Sequence, residues 1–191
     1  LEIVKNLPNN RIVDNQYKKM VVQKTNYLLG QPFTIQCKNE QYTKLLKQFL
    51  NKKFMRTLKA VGEDSLNCGI GWLFPMYDEY GQFTFKRFSP LEIIPLWKDA
   101  EHTVLESFIR IYEVVTYVGN EEKIIEKVEV YDEVGVSYFE LTDSGSLKPD
   151  GEQHVPYFSI EDQGFNWTRI PLIPFKYNNK EIPLINMVKS L

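Results

Sequence analysis

The hydrophobic residues of this 191-residue chain change their spacing at Gly69, and that change most restricts the folds open to the chain. Before Gly69, apolar residues recur every three or four positions, as they do on one face of an amphipathic helix. After Gly69 they alternate with polar residues, as on a half-buried strand. Because the helices precede the strands and no βαβ alternation appears, the sequence predicts an α+β fold: N-terminal amphipathic helices followed by an antiparallel β meander.

Three helices are predicted in the N-terminal part. The first covers residues 11–29; Gly30 is expected to close it in the left-handed conformation, and Pro32 prevents its continuation. The second covers residues 40–50 and the third residues 52–67. Their predicted inward residues are Val13, Tyr17, Met20, Val21, Tyr27, Leu28, Tyr42, Leu45, Leu46, Phe49, Leu50, Phe54, Met55, Leu58 and Val61.

The strands begin with a predicted hairpin. Its first strand carries Ile70, Trp72, Phe74 and Met76, its turn is 78–81, and its return strand carries Phe83 and Phe85. Four further strands, joined by short connections, are predicted at 93–97, 103–118, 123–131 and 134–141. Residues 143–164 are rich in Ser, Gly, Asp and Pro and are predicted to be a mobile loop.

The C-terminal residues predict a strand, a turn and the beginning of a helix. Residues 172–177 form the strand, 178–179 the turn, and Pro183 suits the first helical position because of its fixed φ. Apolar residues follow at helical spacing, at Leu184, Ile185, Val188 and Leu191. A helix of about two turns is marginal without packing. We therefore expect residues 183–191 to be the start of a truncated helix in a longer protein, and Leu1 is not an initiator methionine.

Composition and charge restrict the class of protein. A hydrophobic content of 43% indicates a globular chain, and the apolar runs are too short to predict a membrane span. Two cysteines, Cys37 and Cys68, form no disulfide framework and suggest a reducing cytoplasm. Residues 1–70 carry 12 Lys and Arg against 5 Asp and Glu, whereas residues 71–191 carry 11 against 20. Charges of +7 and −9 predict either a nucleic-acid face or surfaces that meet their complements in neighbouring subunits.

None of the residue patterns predicts catalysis. Gly69 and Gly71 lie after a helix and before a strand, the reverse of a dinucleotide-binding loop, and are interpreted as a helix stop. His102 and His154 lie in predicted loops without further ligands at metal-binding spacing. A nucleophilic pair of Cys68 and His154 is left open as a remote alternative. We assign no catalytic, cofactor-binding or metal-binding residue.

The carboxylates of the predicted meander are interpreted as a solvated strand face. They interleave with Lys123 and Lys127, which would form cross-strand charge pairs with them. The set is Glu121, Glu122, Glu126, Glu129, Asp132 and Glu133.

One basic cluster lies between residues 44 and 59. Its members are Lys44, Lys47, Lys52, Lys53, Arg56 and Lys59. Their spacing is that of a solvated helix face or a subunit contact, while contact with DNA phosphates remains the alternative. A small nucleic-acid-binding module that uses this face is thus a second hypothesis for function.

Five segments resemble, in order, the wing region of tailed-bacteriophage portal proteins. They are Asn9-Asn10-Arg11-Ile12-Val13-Asp14-Asn15; Lys24-Thr25-Asn26-Tyr27-Leu28-Leu29-Gly30-Gln31-Pro32; Asn67-Cys68-Gly69-Ile70-Gly71-Trp72; 81–95; and Ile170-Pro171-Leu172-Ile173-Pro174-Phe175 with Asn178-Asn179. No single segment is a strict motif, and the specificity lies in the series. The resemblance covers nearly the whole chain.

The resemblance implies a structural function without catalysis or cofactors. Portal proteins form a dodecameric ring at one capsid vertex, through which double-stranded DNA is packaged and ejected, and the ring nucleates procapsid assembly. The implied partners are other portal subunits, capsid and scaffolding proteins, and, through regions beyond this chain, terminase and neck proteins. The implied location is the virion, with the host cytoplasm during assembly.

The resemblance also implies a division of the chain. Residues 1–69 would be the helical part of the wing, 70–182 its β-rich domain, and 183–191 the start of a helix leading towards the stem. Since ring closure in the family involves segments outside this region, we expect the isolated chain to be monomeric or weakly associated.

Overall fold

The computed structural model describes residues 14–188. The predicted helical contributions of Val13 and Leu191, and the first residues of the 9–15 segment, lie outside this range. The elements are α1 (Gln16–Leu29), α2 (Glu40–Phe49), α3 (Lys52–Cys68), β1 (Ile70–Tyr77), β2 (Phe83–Phe88), β3 (Ile93–Trp97), β4 (Leu105–Val118), β5 (Glu121–Asp132), β6 (Gly135–Leu141), β7 (Leu147–Pro149), β8 (Phe158–Ile160), β9 (Gln163–Phe165), β10 (Ile173–Lys176) and α4 (Leu184–Met187). The α+β prediction, with helices first, an antiparallel meander next and a short helix last, is confirmed.

Asparagine side chains begin the first three helices. Asn15, Asn39 and Asn51 each accept a hydrogen bond from a backbone N–H of the first turn, which satisfies a donor that has no partner within the helix. The predicted left-handed closure at Gly30 is wrong, because Gly30 has φ −76° and ψ −19°. The helix ends there because Pro32 lacks an N–H and disfavours helical geometry in the residue before it.

Two predicted apolar helix faces are only partly buried. In α1 the buried stripe passes through Val21 and Thr25, so Tyr27 and Leu28 remain 90% and 75% exposed. In α2 no residue is buried, and Tyr42 and Leu45 face solvent. The predicted inward positions of these four residues are therefore wrong. Helix α3 matches its prediction, with Phe54, Leu58 and Val61 buried.

The β-structure contains two larger antiparallel sheets. One has the order β10-β1-β2 and packs against α3; the other has the order β3-β4-β5-β6-β7. Strand β1 is buried on both faces and not on one: Trp72 and Phe74 enter the main core, while Leu73 contacts the α3 residues. Gly71 permits this packing, since a Cβ there would lie 2.3 Å from the Val61 carbonyl oxygen.

An aromatic core joins the two sheets. Phe74 and Phe88 come from the first sheet, and Phe108 and Tyr131 from the second. The rings of Phe108 and Tyr131 stack with centroids 4.2 Å apart, and Phe74 meets Tyr131 edge-on at 5.5 Å. Because both sheets bury side chains in this cluster, they stabilise each other.

The segment predicted as a loop at 143–164 contains regular structure. Strand β7 pairs with β6, β8 pairs with β9, and Val155 bridges to Val136. The prediction of a loop is wrong at these strands, because short strand additions to an existing sheet leave little periodic signal in sequence. The mobility of the segment stays a prediction.

The turn after β10 matches its prediction. The Asn178 side-chain oxygen accepts hydrogen bonds from the N–H groups of Lys180 and Ile182. Pro183 occupies the N-cap position of α4, with φ −59° and ψ 149°, and not the first helical position. Leu184 is buried against Val21 and Leu66, which holds the short α4 against the N-terminal helices.

Candidate functional site

The basic cluster predicted at 44–59 lies on α2 and α3, where five of its six residues are exposed and Lys59 is half-buried. Lys52, Arg56 and Lys59 follow each other at spacings of four and three residues, so they lie on one face of α3. We call these three residues the basic stripe. Within residues 14–188, none of the six cluster residues makes a salt bridge. Their positive charge is therefore available to a partner.

Strands β4 and β5 extend beyond the rest of their sheet. Strand β3 pairs with β4 only as far as Arg110, and β6 pairs with β5 only from Glu126 onward. Residues 114–118 and 121–125 pair only with each other, and Glu113 pairs with Glu126 at the base of this hairpin. We call this two-stranded hairpin the distal ribbon. The sequence predicted these strands and the approximate ends of their neighbours, but not the register in which they pair, on which the projection depends.

One face of the distal ribbon combines exposed apolar groups with carboxylates. Its register places Val115 opposite Ile124 and Tyr117 opposite Glu122. At its foot Glu113 lies opposite Glu126, and both are exposed. Val115, Tyr117 and Ile124 are 52%, 66% and 56% exposed. This face, with Glu113, Glu122 and Glu126, is the acidic ribbon face.

Glu129 is not part of a solvated strand face. It is buried, and its carboxylate receives hydrogen bonds from Arg110, Tyr112 and Tyr131 at 2.8–3.2 Å. Burial raises the pKa of Tyr112 to about 12, with further contributions from its hydrogen bond to Glu129 and from the charge of Glu129. The cross-strand charge pair between Arg110 and Glu129 was the signal that sequence reasoning missed.

Glu121, Glu122 and Glu126 are exposed, as predicted. The predicted pairing of Lys127 with this carboxylate set is wrong, because Lys127 pairs with Glu140 at 3.7 Å and with Asp150 at 2.8 Å, on neighbouring segments outside the set. The Asp132 side chain accepts hydrogen bonds from the N–H groups of Val134 and Gly135 and so shapes the β5–β6 turn.

The structure separates the residues once considered for nucleophilic chemistry. Burial raises the pKa of the Cys68 thiol, and the nearby Asp64 carboxylate raises it further. A reactive thiolate needs the opposite shift. His154 lies beside β6. Its backbone N–H donates to Ser137 Oγ, and its ring nitrogen Nδ1 lies 3.6 Å from Asp132 Oδ2. The charged groups that act on Cys68 are Asp64 and Arg87, and His154 is not among them.

His102 contacts the Lys176–Glu181 ion pair. Its Nδ1 lies 3.0 Å from Glu181 Oε1, and Lys176 Nζ lies 2.8 Å from the same oxygen. Burial raises the pKa of Glu181, but its hydrogen bonds with Lys176 and His102 outweigh that effect and the net shift is downward. The pair anchors the loop before α4 to β10.

Two negative findings concern the described part of the chain. Between residues 14 and 188, no group of three or more His, Cys, Asp or Glu side chains is arranged to hold a metal ion. In the same range, no helix has the length and hydrophobicity needed to span a membrane.

A groove lies between α1, α3 and β10. It has a volume of about 620 Å³ and is lined by Leu28, Leu29, Gly62, Phe175 and Tyr177, among other residues. The exposed side chains of α1 noted above border it. Sequence reasoning missed this groove because it arises from packing between segments that are far apart in the chain.

Comparisons with known proteins identify one family. The family described as "Phage portal protein, SPP1 Gp6-like" matches residues 2–191. The chain is 30% identical over 187 residues to the "Portal protein" of Bacillus phage SPP1. The aligned region covers 96% of this chain and 36% of that protein, so the chain spans about a third of the length of the curated relative it matches.

Proposed function

Because this chain belongs to the phage portal protein family, SPP1 Gp6-like, we propose that it forms the wing region of a portal subunit. The subunit would assemble into a ring through which double-stranded DNA is packaged and ejected, and which nucleates procapsid assembly. The observation that carries the proposal is the family match over residues 2–191. The role is mechanical, so it requires no catalytic residue in this chain.

The proposal assigns a part to each segment. Residues 1–69 are the helical part of the wing, and 70–182 are its β-rich domain. Residues 183–191, which include α4, belong to the segment that leads towards the stem.

The proposed partners follow from the same role. Neighbouring portal subunits, capsid proteins and scaffolding proteins would meet the wing or its surroundings. Terminase and neck proteins would act through regions outside this chain. The proposed location is the portal vertex of the virion, after assembly in the host cytoplasm.

Ring formation by the full-length protein that carries this chain tests the proposal. We expect native mass spectrometry and negative-stain imaging to reveal rings of twelve or thirteen subunits with a central channel. A monomer or dimer under assembly-permissive salt would contradict it. For packaging, nuclease-protected DNA in phage heads should fall to background when the protein is absent and return when it is supplied in trans.

A nucleic-acid-binding module is the second candidate, favoured by the unpaired charges of the basic cluster. Binding through phosphates would be sequence-independent and would weaken steeply with salt. Charge reversal by Lys52→Glu, Lys53→Glu and Arg56→Glu would then abolish DNA binding. The matched control reverses exposed charges elsewhere, by Lys148→Glu, Arg169→Glu and Lys180→Glu. Equal affinities of the two triple variants would eliminate this candidate.

A further inference from the structure

The distal ribbon is an unusual element to leave uncovered. A two-stranded hairpin is marginal in water unless another surface covers it. Here its acidic face exposes Val115, Tyr117 and Ile124 side by side, where β-branched and aromatic residues normally pack. An exposed apolar patch of this kind is typical of a protein-binding surface.

The charges on the same face define the partner. Glu113 and Glu126 lie directly opposite each other, and like charges in this position destabilise a strand pair. Glu122 adds a third carboxylate beside Tyr117. Among the salt bridges of residues 14–188, none involves these three groups. A cationic surface would offset their repulsion, whereas the DNA backbone would add to it.

The chain itself carries a matching cationic surface. The basic stripe of Lys52, Arg56 and Lys59 spans about 10 Å, from seven steps along the helix at about 1.5 Å each. The acidic ribbon face from Glu113 to Tyr117 spans about 14 Å, from four steps along the strand at about 3.4 Å each. The lengths are comparable and the charges are three against three. Lys and Arg also cover apolar groups with their methylene stems, and a guanidinium can stack on a Tyr ring.

The two surfaces are not satisfied within one molecule. In residues 14–188 no salt bridge joins the acidic ribbon face to the basic stripe. The ribbon projects from the β3–β7 sheet, while α3 packs against the other sheet. Each molecule thus offers one surface of each kind.

We propose that the acidic ribbon face of one subunit docks on the basic stripe of the next copy of this chain. The contact is head-to-tail, because different surfaces meet, and such contacts generate a closed ring when the rotation between subunits closes. This inference rests on the proposed portal function and assigns residues to one of its subunit contacts. The contact is small, which is consistent with the weak association expected for the isolated chain.

Charge reversal in the full-length protein tests the contact. The ribbon variant carries Glu113→Lys, Glu122→Lys and Glu126→Lys, and the stripe variant carries Lys52→Glu, Arg56→Glu and Lys59→Glu. In each variant we expect the fraction of protein assembled into rings, measured by native mass spectrometry, to fall at least tenfold. The six-substitution variant should regain rings, and an equimolar mixture of the two triple variants should form mixed rings.

Matched controls reverse the same number of exposed charges elsewhere. Glu101→Lys, Glu152→Lys and Glu161→Lys are matched to the ribbon variant, and Lys148→Glu, Arg169→Glu and Lys180→Glu to the stripe variant. Both controls should assemble like the wild type.

The outcomes separate this inference from the proposed function. Absence of rings in the wild type contradicts the portal proposal itself. Wild-type rings that persist in both triple variants overturn only the docking contact. If the triple variants lose rings and the six-substitution variant does not regain them, the docking contact is also overturned, because the two surfaces then contact other partners. A stripe variant that assembles normally but loses DNA binding assigns the stripe to DNA instead.

A cross-link provides a measurement that does not depend on the folding of charge-reversed chains. Tyr117→Cys and Arg56→Cys are combined in a Cys37→Ser background, because Cys37 is exposed. Mild oxidation should link neighbouring subunits into a ladder. The pair Tyr117→Cys and Lys180→Cys is the control and should give no ladder. Equal cross-linking by the two pairs would refute the contact.

Discussion

Arg110 and Glu129 face each other across β4 and β5, with Arg110 Nη1 donating to Glu129 Oε2 at 3.2 Å. Arg110 also donates to Glu92, and the hydroxyls of Tyr112 and Tyr131 donate to Glu129. These donors replace the hydrogen bonds to water that the Glu129 carboxylate loses when it is buried. The group therefore stabilises the sheet at the point where the distal ribbon leaves the core.

Removing the charge of Glu129 should destabilise the fold. Glu129→Gln leaves Arg110 with one carboxylate partner and turns an acceptor into an amide donor. We expect the free energy of unfolding to fall by about 3–5 kcal/mol, as when one partner of a buried ion pair is lost. Urea denaturation measures it. Glu122→Gln, on the exposed ribbon, should change the value by about 0.5 kcal/mol or less; equal losses in the two variants would refute this role for Glu129.

Alkaline pH should weaken the fold through Tyr112. The folded pKa of Tyr112 is raised to about 12, above the ordinary value of 10.0, so the unfolded chain releases this proton first. Its contribution is fully present below pH 10 and is lost as the pH rises towards 12. Tyr112→Phe should reduce the slope of unfolding free energy against pH in this range. Burial raises the pKa of Tyr131 as well, so some slope should remain.

The control for this pH dependence is Tyr27→Phe. Tyr27 is 90% exposed on α1, and its substitution should leave the slope unchanged. If Tyr112→Phe and Tyr27→Phe reduce the slope of unfolding free energy against pH equally, the environment of Glu129 is not responsible for that slope.

Gly69 should tolerate substitution far less well than Gly119. Both have positive φ, 87° and 65°, so alanine costs about 1–2 kcal/mol of backbone strain at either position. A Cβ at Gly69 would also lie 1.9 Å from the Glu181 carbonyl oxygen, whereas one at Gly119 meets no atom within 4 Å. We expect Gly69→Ala to cost about 1–3 kcal/mol more than Gly119→Ala in thermal or urea unfolding. A similar loss of stability at both positions would mean that backbone strain alone, and not the contact with Glu181, causes the destabilisation.

Phe108→Ala should destabilise both larger sheets together. Phe108 is fully buried between residues of the two sheets, and phenylalanine-to-alanine changes in cores cost about 3–5 kcal/mol. Tryptophan fluorescence, to which Trp72 of β1 contributes, and far-UV circular dichroism should both show a single unfolding transition. Its midpoint should be the same for the two signals and lower than in the wild type. Val118→Ala, at the exposed end of the ribbon, should shift it little. Two separate transitions in Phe108→Ala would indicate that the sheets unfold independently.

Much of the fold could be predicted from local patterns. The spacing of Leu58 and Val61 indicated α3, and the alternation of Trp72 and Phe74 indicated β1. The incorrect predictions concerned which side chains are buried. Tyr27 and Leu28 match a helical face in sequence, but α3 covers only the stripe that passes through Val21. The same limit concealed the buried state of Glu129, since a carboxylate in an alternating strand is normally solvated.

For the candidate site, the sequence identified the charges but not their geometry. The basic cluster at 44–59 was recognised from its spacing, and Lys52, Arg56 and Lys59 do lie on one face of α3, with Lys52 and Arg56 exposed and Lys59 half-buried. The acidic ribbon face could not be predicted, because it requires the register of Glu113 against Glu126. Strand register depends on turn geometry and on packing across the sheet.

The sequence by itself determined the family, the order of helices and strands, and the uneven distribution of charge. These properties depend on residue identity and on spacing along the chain, which are local. Only the tertiary structure decided that β1 is buried on both faces, that Glu129 lies inside, and that β4 and β5 project beyond their neighbours. Those features depend on which distant segments pack together and on the register in which neighbouring strands pair, and no local pattern contains that information.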